Sequence, residues 1–110
     1  MVTIYHNPRC SKSRQTLALL EEKGVIPIVH LYLEEPMPQQ VLEKALTTLG
    51  DQAVRKGETE YKEHIKGKGL EGADLAKAML EYPKTIERPL VTNGPKMALG
   101  RPPEAVLDIL

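Results

Sequence analysis

The run Tyr5-His6-Asn7-Pro8-Arg9-Cys10-Ser11-Lys12-Ser13-Arg14 decides how the rest of the chain is read, and it holds the only cysteine in 110 residues. Before it, Val2-Thr3-Ile4-Tyr5 is rich in β-branched residues, leans apolar and has the length of a short strand. After it, Thr16-Leu17-Ala18-Leu19-Leu20 reads as helix, and Asn7-Pro8 marks the turn between the two. Cys10 is therefore expected where a strand passes into a helix. The first amides of that helix, from about Ser11 to Arg14, have no intrahelical acceptor, and the helix dipole adds partial positive charge at the same place. Arg9, Lys12 and Arg14 raise the local potential further, and no acidic residue occurs between Met1 and Leu20.

A thiol so placed should lose its proton easily. The free group titrates at about 8.5, and comparable settings bring it to roughly 3.5–7.5. The same amides suit a bound oxyanion, so one feature supplies a nucleophile and a cradle for an anionic substrate. The alternative is a small buried cysteine that fills the core, which its polar and basic neighbours argue against. One cysteine and the scattered His6, His30 and His64 match no zinc-ligand spacing, and no bound metal or other cofactor is expected.

Composition bounds the rest. A chain of 110 residues, 41% hydrophobic, is expected to be a single domain with a core of its own. It has no Trp and no Phe, so Leu, Val, Ile and Met must fill that core. Fifteen basic and fifteen acidic residues cancel, which argues against a nucleic-acid-binding surface. A basic cluster around Cys10 is the more telling in a neutral chain. No apolar run approaches a membrane span, and no charged-then-apolar leader is visible. One cysteine makes no internal disulfide, and a reducing, cytoplasmic setting is the expectation.

Along the chain, the first helix should run from about Ser11 to Lys23 and stop at Gly24. Val25-Ile26-Pro27-Ile28-Val29-His30-Leu31-Tyr32-Leu33 is nearly continuous in apolar residues and predicts a buried strand parallel to the first, with His30 a structural residue inside it. Val41, Leu42, Ala45, Leu46 and Leu49 repeat with helical period, after Pro38 and before Gly50. From Asp51 to Gly72 only short helical pieces are expected, around 52–56 and 58–66. A clearer helix spans about Ala73 to Tyr82. Leu90-Val91-Thr92 and Lys96-Met97-Ala98-Leu99 predict a hairpin turned at Asn93-Gly94. A last helix should follow Arg101-Pro102-Pro103, with Val106, Ile109 and Leu110 on one side. The order is βαβ, helices, ββα. Arg88 directly precedes Pro89 and a strand, and Arg101 directly follows a strand and precedes Pro102. Each proline restricts the arginine before it to extended conformations. Two guanidiniums fixed at strand ends suit a tetrahedral oxyanion better than lysines would.

Four separated motifs then agree with one family. Tyr5 to Arg14, Leu31-Tyr32-Leu33-Glu34, Glu87-Arg88-Pro89-Leu90-Val91, and Gly100-Arg101-Pro102-Pro103-Glu104 through Leu107-Asp108-Ile109-Leu110 together resemble the arsenate reductases of the glutaredoxin-coupled, thioredoxin-like type, over nearly the whole chain. The resemblance implies an α/β thioredoxin-like fold: a central mixed four-stranded sheet flanked by helices, with a helical insert between its halves. It implies reduction of arsenate to arsenite. The thiolate at the Cys10 position attacks arsenic, glutathione attacks the adduct, and glutaredoxin removes the resulting mixed disulfide. Three arginines would bind the oxyanion, and by motif they map to Arg88, Arg101 and Arg55. His6 matches the family histidine held to influence the cysteine, and a charged imidazole there would stabilise the thiolate. Ser11 and Ser13 either donate hydrogen bonds to the sulfur or the oxyanion or simply cap the helix. With Lys12 and Arg14 they complete the expected anion cradle. Arg88-Pro89 matches the cis-proline of the fold, and a monomer is expected.

Two other readings stand beside this one. A branch of the same fold family comprises redox-responsive regulators that bind RNA polymerase. Many of them carry Cys-x-x-Cys, where this chain has Ser13 in the second position. A family member with a different thiol or oxyanion substrate is the third reading, and the segment Asp51 to Val54 before Arg55, shorter than in the family's reductases, belongs with it.

Overall fold

A computed structural model describes residues 1–110. Two compact units divide the chain, Met1–Glu35 with Arg88–Leu110, and Pro36–Glu87.

The first unit holds the sheet. Strands β1 (Val2–Tyr5), β2 (Ile28–His30), β3 (Leu90–Asn93) and β4 (Lys96–Leu99) lie in the order β2-β1-β3-β4. β1 runs parallel to β2 and antiparallel to β3, and β3 pairs antiparallel with β4. The sheet is thus mixed, as expected. One row across it reads Val29, Ile4, Val91, Ala98. Because side chains alternate along each strand, that row faces one way. Ile4 and Val91 are fully buried in a cluster with Leu20, Val106 and Ile109, and Leu17, Val25 and Ala98 pack around it. Leu20 comes from helix α1 (Ser11–Glu22), and Val106 and Ile109 come from a 3₁₀ helix over Pro103–Ile109. The aliphatic core that the composition requires is therefore a sheet face covered by α1 and the C-terminal turn. Asn93 Nδ2 donates to the Ile109 carbonyl at 2.7 Å and ties that turn to the hairpin.

α1 ends near Gly24, whose φ of 79° is the left-handed conformation that glycine adopts freely. Three expectations need correction. The strand read over Val25–Leu33 is ordered as strand only at Ile28–His30, and it is the edge of the sheet rather than a buried strand. Ile26 is 95% exposed, Ile28 50% and Val29 45%, because β2 has a neighbour on one side only and Pro27 offers no amide to a second. The hairpin turns on Gly94-Pro95, not Asn93-Gly94. Asn93 pairs with Lys96, and Gly94 has φ 61°. Proline cannot take a positive φ, which leaves the turn form with glycine first. The last helix is 3₁₀, and Leu110 stays exposed at 43%.

The second unit packs helix α2 (Gln39–Leu49) against helix α4 (Gly72–Glu81). Leu42 and Ala45 face inward from the first, Ala76 and Met79 from the second. A 3₁₀ turn at Gly50–Ala53, a short helix α3 (Thr59–His64) and an isolated bridge between Val54 and Ile86 complete it. His64 stacks on Tyr82 with ring centroids 4.3 Å apart.

Gly100 is the one glycine at which an added side chain would meet neighbouring atoms. Its N–H donates to the Pro89 carbonyl at 2.9 Å, and a Cβ there would collide with the Thr16 side chain and the Pro89 ring. Thr16 is itself wholly buried in α1. Gly100→Ala is expected to lose about 1–3 kcal/mol of stability, read as a lower urea midpoint with an unchanged slope. A midpoint equal to wild type would show that the α1–hairpin approach is not constrained.

Candidate active site

Sheet register explains how distant residues meet at Cys10. Tyr5, Leu90 and Leu99 form the rung at one end of β1, β3 and β4. The chain leaves that end from β1 toward Cys10, enters β3 there two residues after Arg88, and leaves β4 there two residues before Arg101. Antiparallel pairing thus gathers Cys10, Arg88 and Arg101 at the same end of the strands. The Arg88-Pro89 and Arg101-Pro102 bonds are both cis. Arg101 donates from Nε to the Arg88 carbonyl at 2.8 Å, and its Nη2 lies 3.6 Å from Cys10 Sγ.

Cys10 is the N-cap residue of α1, with extended φ and ψ, and its carbonyl accepts the Arg14 amide at 3.0 Å. It retains 8% exposure, so it is nearly covered but not sealed. Burial pushes the thiol up. A hydrogen bond from Arg88, the Ser13 amide, the Arg88 charge and the Lys12 amide together outweigh burial and hold it below its ordinary value. No regular cap hydrogen bond is formed by the side chain. The amides at Lys12 and Ser13 act on the sulfur as donors that favour its anion.

The loop before Cys10 is latched from several sides. The Cys10 amide donates to the Asn7 carbonyl at 3.0 Å, and the Arg9 amide donates to Asn7 Oδ1 at 3.0 Å. Arg14 Nη1 donates to the Pro8 carbonyl at 2.9 Å. Ser13, fully buried, accepts the Asn7 amide at 3.0 Å and meets His6 Nδ1 at 2.6 Å. His6 is held below its ordinary value, by burial first and by the Arg14 charge second. Both causes favour the neutral imidazole, whose Nδ1 shares a hydrogen bond with the Ser13 hydroxyl. The charged imidazole that would assist the thiolate is therefore not what the fold favours, because desolvation and Arg14 both oppose it. The Ser13 hydroxyl serves the loop, while its amide serves the sulfur. Ser11 and the Lys12 side chain are exposed at the helix start.

Arg55 belongs to the second unit. Its guanidinium is held by Glu58 at 2.9 Å and Glu87 at 3.6 Å, and its amide donates to the Thr85 carbonyl at 2.8 Å. His30 is bonded through Nε2 to the Glu35 carbonyl at 2.7 Å and packs on Tyr5. Asn7, Gly100 and Thr16 were not singled out from sequence. The Asn-Pro pair carried a signal for Asn7, since asparagine readily bonds the backbone two residues on. Nothing local marked the other two. No group of three or more His, Cys, Asp or Glu side chains is placed to hold a metal ion, and no helix is long and apolar enough to cross a membrane.

Fold and site together define a thioredoxin-like protein with one thiol, held below its ordinary pKa, at the start of its first helix. The chain belongs to the ArsC family, whose model matches residues 5–109. It is 47% identical to an arsenate reductase of Haemophilus influenzae, over 99% of this chain and 98% of that one. It is equally 47% identical to the Escherichia coli K12 protein YfgD, over 99% and 96% of the two chains, a name that states no activity. A solved arsenate reductase from Vibrio cholerae superposes with a TM-score of 0.89 at 46% identity, covering 99% of this chain and 97% of the other.

Two measurements follow from the site. Alkylation of Cys10 followed against pH should have its midpoint below the free thiol value of about 8.5. In Arg88→Ala the midpoint should rise by about one to two pH units, the loss of a charge-assisted hydrogen bond. An unmoved midpoint would mean that Arg88 does not govern the sulfur. For His6, a depressed folded pKa means that the unfolded chain binds the proton more readily. Stability is thus complete above the unfolded value, about 6.5, and falls as pH drops through and below it. Urea midpoints at about pH 7.5 and pH 5.5 should separate more for wild type than for His6→Asn, and equal separations would contradict the assigned cause.

Proposed function

We propose that this chain reduces arsenate to arsenite, with Cys10 as the nucleophile, glutathione as co-substrate and glutaredoxin as the protein that restores it. The observation that carries the reading is one thiol, held below its ordinary pKa, with two guanidiniums reaching its sulfur. An anionic sulfur attracts no second anion unless cations offset the repulsion, and Arg88 and Arg101 are placed to do so.

In the proposed sequence the Cys10 thiolate attacks arsenic, and a protonated arsenate oxygen leaves as water, forming a sulfur–arsenic bond. The glutathione thiolate then attacks Sγ. The sulfur–arsenic bond breaks with its electron pair passing to arsenic, which falls from As(V) to As(III) and leaves as arsenite. Cys10 remains in a disulfide with glutathione, and a glutaredoxin thiolate takes the glutathione away. Two electrons leave two sulfurs. The 110 residues contain one cysteine, so the second sulfur comes from another molecule, which favours a small external thiol over an internal disulfide.

Arg88 and Arg101 hold the oxyanion in this reading, with Arg55 as the third arginine. The amides over Ser11–Arg14 form the cradle with Lys12 and Arg14. His6 acts through Ser13 as a positioning residue for the loop. The protein works as one thioredoxin-like domain, a cytoplasmic monomer in a reducing compartment. Purified protein with arsenate, glutathione and glutaredoxin should form arsenite, and Cys10→Ser should form none. Arg88→Ala and Arg101→Ala should each lose about 10²-fold or more in kcat/KM for arsenate, and Arg55→Ala, whose charge two carboxylates already answer, should lose less. Turnover no greater than that of Cys10→Ser would sink the reading, and exchanging glutaredoxin for thioredoxin identifies the reductant.

A further inference from the structure

The loop that presents Cys10 has a second face. A cavity of about 330 Å³ opens against it, lined by His6, Pro8, Arg9, Leu31, Leu33 and Glu34 among others. Its walls are apolar at Pro8, Leu31 and Leu33, and it carries one cation and one anion, Arg9 and Glu34. Those two exposed groups are joined neither to each other nor to any other ion-pair partner. Opposite charges across one cavity, both left to solvent, suit a ligand with charges of both signs. A lone oxyanion would be repelled by Glu34, and a purely apolar ligand would leave both charges unanswered. The volume lies near the lower end for small-molecule sites, roughly 300–1,000 Å³, and suits a tripeptide.

We propose that this cavity is the subsite for the thiol co-substrate, a small peptide bearing an ammonium group and two carboxylates. Arg9 takes a carboxylate, Glu34 takes the ammonium, and Pro8, Leu31 and Leu33 cover the methylene groups between. The inference rests on the reading of glutathione as co-substrate, and it adds where on this chain that molecule sits. The cavity adjoins the residues that the Cys10 amide is tied to, Asn7 above all. In this reading the oxyanion and the incoming thiol are held by different residues around the loop that carries Cys10.

The test uses S-methylglutathione, which keeps every charge of glutathione but cannot react, titrated into the full-length, ¹⁵N-labelled Cys10→Ser protein. Amide shifts should concentrate at Arg9, Leu31, Leu33 and Glu34, and Glu34→Lys should weaken binding by about tenfold, the equivalent of about 1.4 kcal/mol. In turnover, the same substitution should raise the glutathione KM by a similar factor and leave the arsenate KM in place. Shifts elsewhere in the chain, no shifts in the millimolar range, or shifts at these residues with glutaredoxin alone would each overturn the assignment. Cavity shifts without arsenite formation would uphold the subsite and remove the reductase reading, whereas arsenite formation without cavity shifts would do the reverse.

Discussion

The contest at Cys10 Sγ governs this structure. Covering a thiol disfavours its anion, and Cys10 is covered over most of its surface. The thiol is nonetheless held below its ordinary value, because Arg88 ahead of β3 and the amides in the first turn of α1 act on the sulfur, and Arg101 beyond β4 brings Nη2 to 3.6 Å from it. Helix amides are fixed partial charges that fall off within a turn, and a single exposed arginine would be screened. Held together in a partly dry site, they act at lower effective dielectric, where each counts for more. The mixed sheet is what brings them there, since only a β3–β4 hairpin antiparallel to β1 returns both arginines to the end from which Cys10 departs.

Rigidity of the presenting loop follows from the same place. Ser13 occupies the position three residues after the cysteine, where a second thiol would close an internal disulfide. Its hydroxyl instead bonds His6 and the Asn7 amide. The position is spent on holding geometry, and the sulfur has no resolving partner in the chain. The polymerase-binding regulators that switch through a Cys-x-x-Cys pair use chemistry that this loop does not contain. With one cysteine in the chain and its loop latched by hydrogen bonds, a disulfide at Cys10 can form only with another molecule.

Much of this was legible in the order of residues, and the failures have physical causes. The strand-to-helix passage at Cys10, the stop at Gly24 and the two Arg-Pro junctions were visible because each rests on a local rule: β-branching, a free φ, a proline's restriction. The β2 error came from treating apolar content as burial. An isoleucine pair around Pro27 reads as interior from composition, yet a strand at a sheet edge exposes it. Turn chemistry at Gly94-Pro95 shifted by one residue because proline vetoes the conformation that Asn-Gly would prefer. The charge on His6 could not be read at all, since it depends on burial and on Arg14, neither of which a strand-end histidine announces. The clash awaiting a side chain at Gly100 likewise exists only once α1 and the hairpin are packed.

The three arginines named by motif are not equivalent once their surroundings are known. Arg101 donates from Nε to the Arg88 carbonyl, which directs its Nη2 to within 3.6 Å of Cys10 Sγ. Arg88 hydrogen-bonds the sulfur and adds its charge there. Arg55 faces two carboxylates, Glu58 and Glu87, both partly buried with it. A guanidinium so paired has its field largely answered, and a new anion would have to displace a carboxylate to use the same donors. Sequence spacing treats the three alike because it records the side chain and not its partners. Of the three, Arg88 is the one whose charge and hydrogen bond hold the thiol down, Arg101 reaches the sulfur with Nη2, and Arg55 spends its donors on Glu58 and Glu87.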